Sequence, residues 1–271
     1  MPEMQPLVVT ATANVSWLHP EIEYPRDPAA RGRAAAACAA AGAAVYHMHA
    51  EDSWRASIEA VRDSCDVIVQ CGMSSLPIPD RMEVYDSRAD MISVIASHHD
   101  EAFAQVETNV LHGRDELARY GALCREYGVK PELEIWHSGS IWNLCYLIER
   151  GLLDPPYVTT LFFGWPGGTW SPPTIEEYLY RRRQLPDGCV VTVSVMGEGQ
   201  LPLLAAAIGQ GDHVRVGTED NPFGRDGSPA STERLVAEVV ELARAMGRPV
   251  ASPDQARSLL GIEGSRAGGR R

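Results

Sequence analysis

The sequence predicts a (β/α)8 TIM barrel in a single domain, and three observations predict it. Eight short β-branched or apolar runs recur along 271 residues, helix-length segments with mixed polar and apolar faces separate them, and no glycine follows the first run. Strands that alternate with helices pair in parallel through crossover connections. Eight such units in about 250 residues suit a closed barrel. A doubly wound open sheet is the alternative, but it would carry a glycine-rich phosphate loop after its first strand. Val9-Thr10-Ala11-Thr12-Ala13-Asn14 has no glycine.

In chain order the strand signals are Leu7 to Ala13, Ala43 to His49, Val67 to Gly72, Ala104 to Thr108, Pro131 to Trp136, Val158 to Trp165, Val190 to Met196 and His213 to Thr218. The intervening helix signals are Pro28 to Ala41, Ser53 to Ser64, Ser87 to Ala96, Arg114 to Tyr127, Ser140 to Arg150, Thr174 to Leu185 and Gln200 to Gln210. Met91 to Ala96 also reads as β-rich and competes with Ala104 to Thr108 for the fourth strand. The alanine-rich run Ala34 to Ala44 is too short for a membrane span, which needs about 20 apolar residues, and reads as a packed helix. The barrel is expected over residues 1–263. Gly264 to Arg271, rich in Gly and Arg with no periodic apolar face, is expected to be a flexible C-terminal tail.

A formal charge of −12 and a pI near 5.1 argue against nucleic acid or an anionic membrane as partner, because both would be repelled at long range. The six cysteines are widely spaced without a C-x-x-C pair, so they read as reduced thiols in a cytoplasmic protein. The N-terminus has no basic segment ahead of an apolar run, hence no expected leader peptide.

The chemistry concentrates at strand ends. Tyr46-His47-Met48-His49 closes the second strand signal, and residues i and i+2 of a strand point the same way. Both imidazoles then face one side at the C-terminal mouth, where barrel active sites are built. At that spacing they can share a divalent metal, zinc being the expected ion; the bland alternative is one core histidine and one exposed. A catalytic site needs a third ligand and an open position. Glu219, at the end of His213-Val214-Arg215-Val216-Gly217-Thr218-Glu219-Asp220-Asn221, is the natural candidate, unless Glu219 and Asp220 merely cap a helix. Arg215 on a barrel strand is costly to bury unless paired with a carboxylate or an anionic substrate. Asp220 is its expected partner or a general base beside it.

Glu132 and Glu134 share one face of the fifth strand and would repel each other unless a cation or a proton intervenes. Glu134, nearer the mouth, is the candidate catalytic residue; a structural ion pair is the alternative. His137 reads as a loop histidine. Gly164-Trp165-Pro166-Gly167-Gly168 is a rigid mouth loop whose Gly167 lets backbone approach a substrate, and Cys71-Gly72-Met73-Ser74-Ser75 offers hydroxyls for a substrate carboxylate. Both are equally compatible with plain turns. Arg181-Arg182-Arg183 reads as a solvated helix face.

Gly42-Ala43-Ala44-Val45-Tyr46-His47-Met48-His49-Ala50-Glu51-Asp52, Pro131-Glu132-Leu133-Glu134, Gly164-Trp165-Pro166-Gly167-Gly168 and Val214-Arg215-Val216-Gly217-Thr218-Glu219-Asp220-Asn221 resemble the signature blocks of the beta-keto acid cleavage enzymes. They occur in the family's order over nearly the whole chain. The best-known activity in that family is 3-keto-5-aminohexanoate cleavage. The resemblance implies a zinc-bound TIM barrel that condenses a beta-keto acid with acetyl-CoA and cleaves the adduct to acetoacetate and a new acyl-CoA. It implies His47, His49 and Glu219 as zinc ligands and Arg215 with Asp220 as the pair that generates the carbanion. Ser74 and Thr108 stand where the family holds the substrate carboxylate, and a homo-oligomer, often a tetramer, is expected.

The first strand departs from the family pattern: it lacks the usual Gly-Ala step, and Asn14 replaces a different polar group. The usual Thr-Gly pair after the third strand is missing too. These loops shape the pocket, so the departures bear on the substrate side chain. Trp17, Trp165 and Trp170 are compatible with an apolar or cation-accepting pocket, or with packing. Two other functions fit the residues: a zinc-dependent aldolase or hydrolase without CoA, and a non-catalytic metal-binding barrel. A requirement for CoA separates the first from the family reading, and any turnover excludes the second.

Overall fold

The computed structural model describes residues 4–14, 21–50, 52–72, 76–100, 109–164 and 169–262. Eight parallel strands close into a barrel: β1 (Val9–Thr12), β2 (Val45–Met48), β3 (Ile68–Cys71), β4 (Met91–Ile95), β7 (Lys130–Ile135), β8 (Tyr157–Phe163), β9 (Cys189–Val195) and β10 (His213–Gly217). Around the ring they run β1-β10-β9-β8-β7-β4-β3-β2. A short antiparallel hairpin, β5 (His98–Asp100) with β6 (Asn109–Leu111), follows β4.

The helices among the described residues are α1 (Pro28–Ala41), α2 (Trp54–Ser64), α3 (Ile78–Asp86), α4 (Arg114–Tyr127), α5 (Ser138–Glu149), α6 (Ile175–Arg182), α7 (Gln200–Gln210), α8 (Thr232–Ala245) and α9 (Pro253–Leu260). None is long and apolar enough to cross a membrane. Local chemistry sets their ends. In α1, Asp27 accepts from Ala30 N–H at 2.7 Å and Pro28 occupies the first turn, where a missing N–H costs nothing. Gly42 then ends the helix at φ 114°, a conformation that costs other residues strain.

The fourth barrel strand corrects the sequence expectation. Met91–Ile95, not Ala104–Thr108, fills that place, and the helix expected over Ser87 to Ala96 is absent. Residues 104–108 lie outside the described residues. A strand buried on both faces shows no alternation of polar and apolar residues, so period alone does not separate it from a helix. All five residues of β4 are buried, and α3, which no sequence signal marked, supplies the crossover before it.

Inside the barrel, side chains sort by height. The lower layer is apolar: Val8, Val45, Ile68, Met91 and Val158 pack against Ala256 and Leu260 of α9. Above it lies a polar girdle of Thr10, Gln70, Glu132, Thr160, Thr192 and Arg215 around a narrow cavity. Near the mouth, Ile95, Val110, Trp136, Phe162, Trp170 and Met196 form a separate apolar cluster. The main core lies between strands and helices. Such layering leaves the C-terminal mouth as the place where polar side chains converge.

Arg181 corrects a second expectation. It does not face solvent but is fully buried, donating to the carbonyls of Phe162, at 2.7 Å, and Ile135, with its guanidinium over the Phe163 ring. It ties β7 to β8 near the mouth. Arg182 pairs with Asp212 at 2.6 Å, and only Arg183 is exposed.

Candidate metal centre and active site

β1, β2 and β10 are neighbours, and their register brings the candidate ligands together: Thr12 lies beside His47 on one side and Gly217 on the other. That close approach depends on Gly217, because a Cβ there would stand 1.9 Å from the Thr12 carbonyl oxygen. His47 is inside β2, and His49 lies one residue past it. Their Nε2 atoms are 3.3 Å apart. Glu219 Oε2 is 3.6 Å from His47 Nε2, and Oε1 is 3.5 Å from His49 Nε2. These three residues form a possible metal site.

The donor set fits a metal. A tetrahedral ion bound at about 2.0–2.1 Å keeps its ligand atoms about 3.3 Å apart, close to the spacings observed. Burial, with the Arg215 charge adding to it, holds the His47 imidazole well below its ordinary pKa, so its ring is neutral. A neutral ring nitrogen facing another imidazole and a carboxylate is an arrangement that a cation satisfies. Room for it depends on Gly72: a Cβ there would lie 2.3 Å from His47 Nε2 and 2.6 Å from His49 Nε2. His49 is 46% exposed against 1% for His47, so the cluster opens on the mouth side.

Glu219 is held from several sides. Arg215 Nη2 donates to Oε1 at 2.7 Å, while Thr12 Oγ1 and Asn14 Nδ2 both donate to Oε2. Asn14 also accepts from the His49 backbone N–H at 2.8 Å, so one amide ties two candidate ligands together. Burial alone would raise the Glu219 pKa, but Arg215 and the two histidines outweigh it and hold the carboxyl well below the usual range.

Arg215 and Asp220 are joined just beneath. The guanidinium meets Asp220 in a fork, Nε to Oδ2 at 3.1 Å and Nη2 to Oδ1 at 2.8 Å, and Ser194 Oγ donates to Oδ2 at 2.8 Å. Burial would lower the Arg215 pKa, but Asp220 and Glu219 raise it. Burial also raises the Asp220 pKa against the pull of Arg215. A fully buried carboxylate pushed toward basicity and held in a fixed orientation can act as a proton acceptor.

Glu134 lies across the barrel on β7, buried, accepting from Trp136 Nε1 at 3.1 Å and adding its charge to those acting on Arg215. Glu132, one layer below, receives Gln70 Nε2 at 3.0 Å, and burial raises its pKa. Burial disfavours charge on Glu132, which eases repulsion between the two carboxylates of β7. His137 caps α5, accepting from Gly139 N–H, and takes no part in the cluster. Ser74, Thr108 and Gly167, expected around the substrate, lie outside the described residues, as do Trp17 and Trp165. Trp170 packs edge-on against Trp136 and His99 rather than opening a cage.

Thr12, Gln70, Gly72 and Ser194 were not singled out from sequence. Thr12 was legible in principle, since period two along β1 puts it on the face of Thr10. Gly72, the first residue after β3, has no signal of its own; its need for no Cβ arises only when two imidazoles turn toward it.

The profile of the beta-keto acid cleavage enzyme family matches residues 6–262. The chain is 30% identical over 282 residues to a 3-keto-5-aminohexanoate cleavage enzyme of Acetoanaerobium sticklandii, covering 96% of this chain and 99% of that one. It is 23% identical over 279 residues to a 3,5-dioxohexanoate:acetyl-CoA acetone transferase of Paraburkholderia graminis, covering 89% and 90%. Among solved structures, the binary complex of ObcA with oxaloacetate superposes with a TM-score of 0.70 at 17% identity, over 88% of this chain and 67% of that one, a likeness of fold. With the match to the family spanning almost every described element, the chain belongs to the beta-keto acid cleavage enzyme family.

Proposed function

We propose that this protein is a zinc-dependent acyltransferase that converts a beta-keto acid and acetyl-CoA into acetoacetate and a new acyl-CoA, acting in the cytoplasm as a homo-oligomer. The observation that carries the reading is the convergence of His47, His49 and Glu219 beside the Arg215–Asp220 pair. Acetyl-CoA enters from the name of the Paraburkholderia graminis relative, and the oligomer from the family resemblance.

His47 Nε2, His49 Nε2 and a Glu219 oxygen would hold the zinc ion, and when bound it supplies Lewis acidity that acidifies the carbon between the keto and carboxylate groups. Asp220 takes the proton from that carbon onto a carboxylate oxygen. Arg215 and Ser194 hold Asp220 in place, so little reorganisation accompanies the transfer. The carbanion left on the substrate attacks the thioester carbon of acetyl-CoA, forming a C–C bond and releasing CoA thiolate. The thiolate then attacks the substrate's original keto carbon, the older C–C bond breaks, and the acetoacetate carbanion recovers a proton from Asp220. Atoms balance without a further reactant. Glu134 is proposed as a third catalytic group that strengthens the negative potential around Arg215.

The test is a mass-spectrometric assay of a panel of beta-keto acids with acetyl-CoA, with and without a chelator. Chelator-sensitive appearance of acetoacetate together with the matching acyl-CoA is expected. Cleavage that proceeds without CoA would replace this reading by the aldolase or hydrolase one.

A further inference from the structure

We propose that Asn14 is a positioning residue that holds His49 beside Glu219 before a metal binds, so that the most exposed of the three candidate ligands is already in place. This rests on reading His47, His49 and Glu219 as a metal site, and it concerns the two ends of one side-chain amide.

The pairing of β2 with β1 ends at His47 and its pairing with β3 ends at Met48, so His49 lies beyond both ladders. Its backbone is held by a side chain instead: the His49 N–H donates to Asn14 Oδ1 at 2.8 Å. The other end of that amide, Nδ2, donates to Glu219 Oε2 and, at 3.1 Å, to Thr12 Oγ1. Asn14 is itself anchored. Its backbone carbonyl accepts from Thr218 Oγ1 at 3.4 Å, and that hydroxyl lies 3.1 Å from the hydroxyl of Thr232, the first residue of α8.

A carboxamide suits both ends of this bridge, and neither a carboxylate nor an apolar side chain does. A backbone N–H can only donate and an ionised carboxylate can only accept, so the Asn14 oxygen faces His49 and its nitrogen faces Glu219. An Asp here would set a second carboxylate against Glu219, and an Ala would withdraw this partner from both neighbours. A ligand that is loose until the metal arrives gives up its freedom on binding, whereas one already held does not. The bridge therefore acts on affinity, through the placement of His49 relative to Glu219.

The experiment uses the full chain, the Asn14→Ala variant and, as a control, Thr12→Val, which removes the other hydroxyl donor to Glu219 but leaves the bond from His49 to Asn14. Zinc affinity is measured by competition with a chromophoric chelator. A loss of about 10–100-fold is expected for Asn14→Ala, the range typical of lost support behind metal ligands. Amide hydrogen exchange of the metal-free chains, followed by NMR, reads the bridge itself. The His49 N–H is expected to exchange about tenfold or more faster in Asn14→Ala than in the parent, with Tyr46 and His47 of β2 unchanged, and to stay slow in Thr12→Val. Should Asn14→Ala not fold, Asn14→Leu, which keeps the branched shape and removes both polar atoms, takes its place with the same expectations. Unchanged zinc affinity in the Asn14 variant, a His49 N–H that is unprotected in the parent, or equal loss of its protection in Thr12→Val overturns the role of Asn14. A parent chain that binds no zinc, yet loses His49 protection only when Asn14 is replaced, refutes the metal reading and leaves the Asn14 bridge standing.

Discussion

Arg215 and Asp220 form a two-point hydrogen-bonded pair in which the carboxylate, though fully buried, is oriented by Nε at 3.1 Å and Nη2 at 2.8 Å. Replacing Asp220 by Asn keeps the shape and leaves an oxygen for Arg215 but removes the proton acceptor. A fall in kcat of about 10²–10⁴-fold is expected, with metal content unchanged. Parallel steady-state kinetics and elemental analysis check it; activity retained at the parent rate would remove Asp220 from the chemistry.

His47→Ala deletes the deepest of the three candidate ligands without touching the outer packing. Loss of bound metal and of activity is expected while the far-UV circular dichroism stays that of the parent. Chelation of the parent should reproduce the loss, and adding zinc should restore activity to the parent but not to the variant. Full activity in His47→Ala would end the metal assignment.

Gly72→Ala tests the space at the centre. The added Cβ would lie 2.3 Å from His47 Nε2, so the ring must move away from its neighbours. A drop in metal affinity of at least about tenfold is expected. The melting temperature of the metal-free chain should change little, because the ring can yield where the backbone could not. The pair of measurements separates a lost site from a lost fold.

His213 carries an acid sensitivity of its own. Burial, helped by Arg248, lowers its pKa from 6.5 to about 3, and its Nδ1 accepts from Val8 N–H at 3.1 Å. The unfolded chain binds a proton below about 6.5 whereas the folded chain resists it until about 3. The stability contribution is therefore complete above 6.5 and is lost as pH falls from there toward 3, by up to several kcal/mol. Urea unfolding at pH 7 and pH 4.5 should show a smaller difference for His213→Asn, which keeps an acceptor but does not titrate, than for the parent.

Arg181→Met removes the buried link between β7 and β8 and leaves the Ile135 and Phe162 carbonyls without that donor. A loss of about 2–4 kcal/mol is expected, larger than a surface arginine would give. Chemical denaturation measures it, and a loss under about 0.5 kcal/mol would return Arg181 to the surface role expected from sequence.

The linear sequence determined the alternation of strands and helices, the strand ends bearing His47, His49 and Glu219, and the pairing of Arg215 with a nearby carboxylate. All of these follow from local periodicity and from the cost of burying charge. Tertiary structure decided what depends on contacts between distant strands. Met91–Ile95 took the fourth place in the barrel although burial on both faces leaves its sequence without a strand period, and Arg181 turned inward to donate to carbonyls on two strands. Thr12, Asn14, Gln70 and Gly72 joined the site through barrel closure, which sets β1 beside β10 and β2 beside β3. No spacing along one strand encodes such neighbours; the register between strands does.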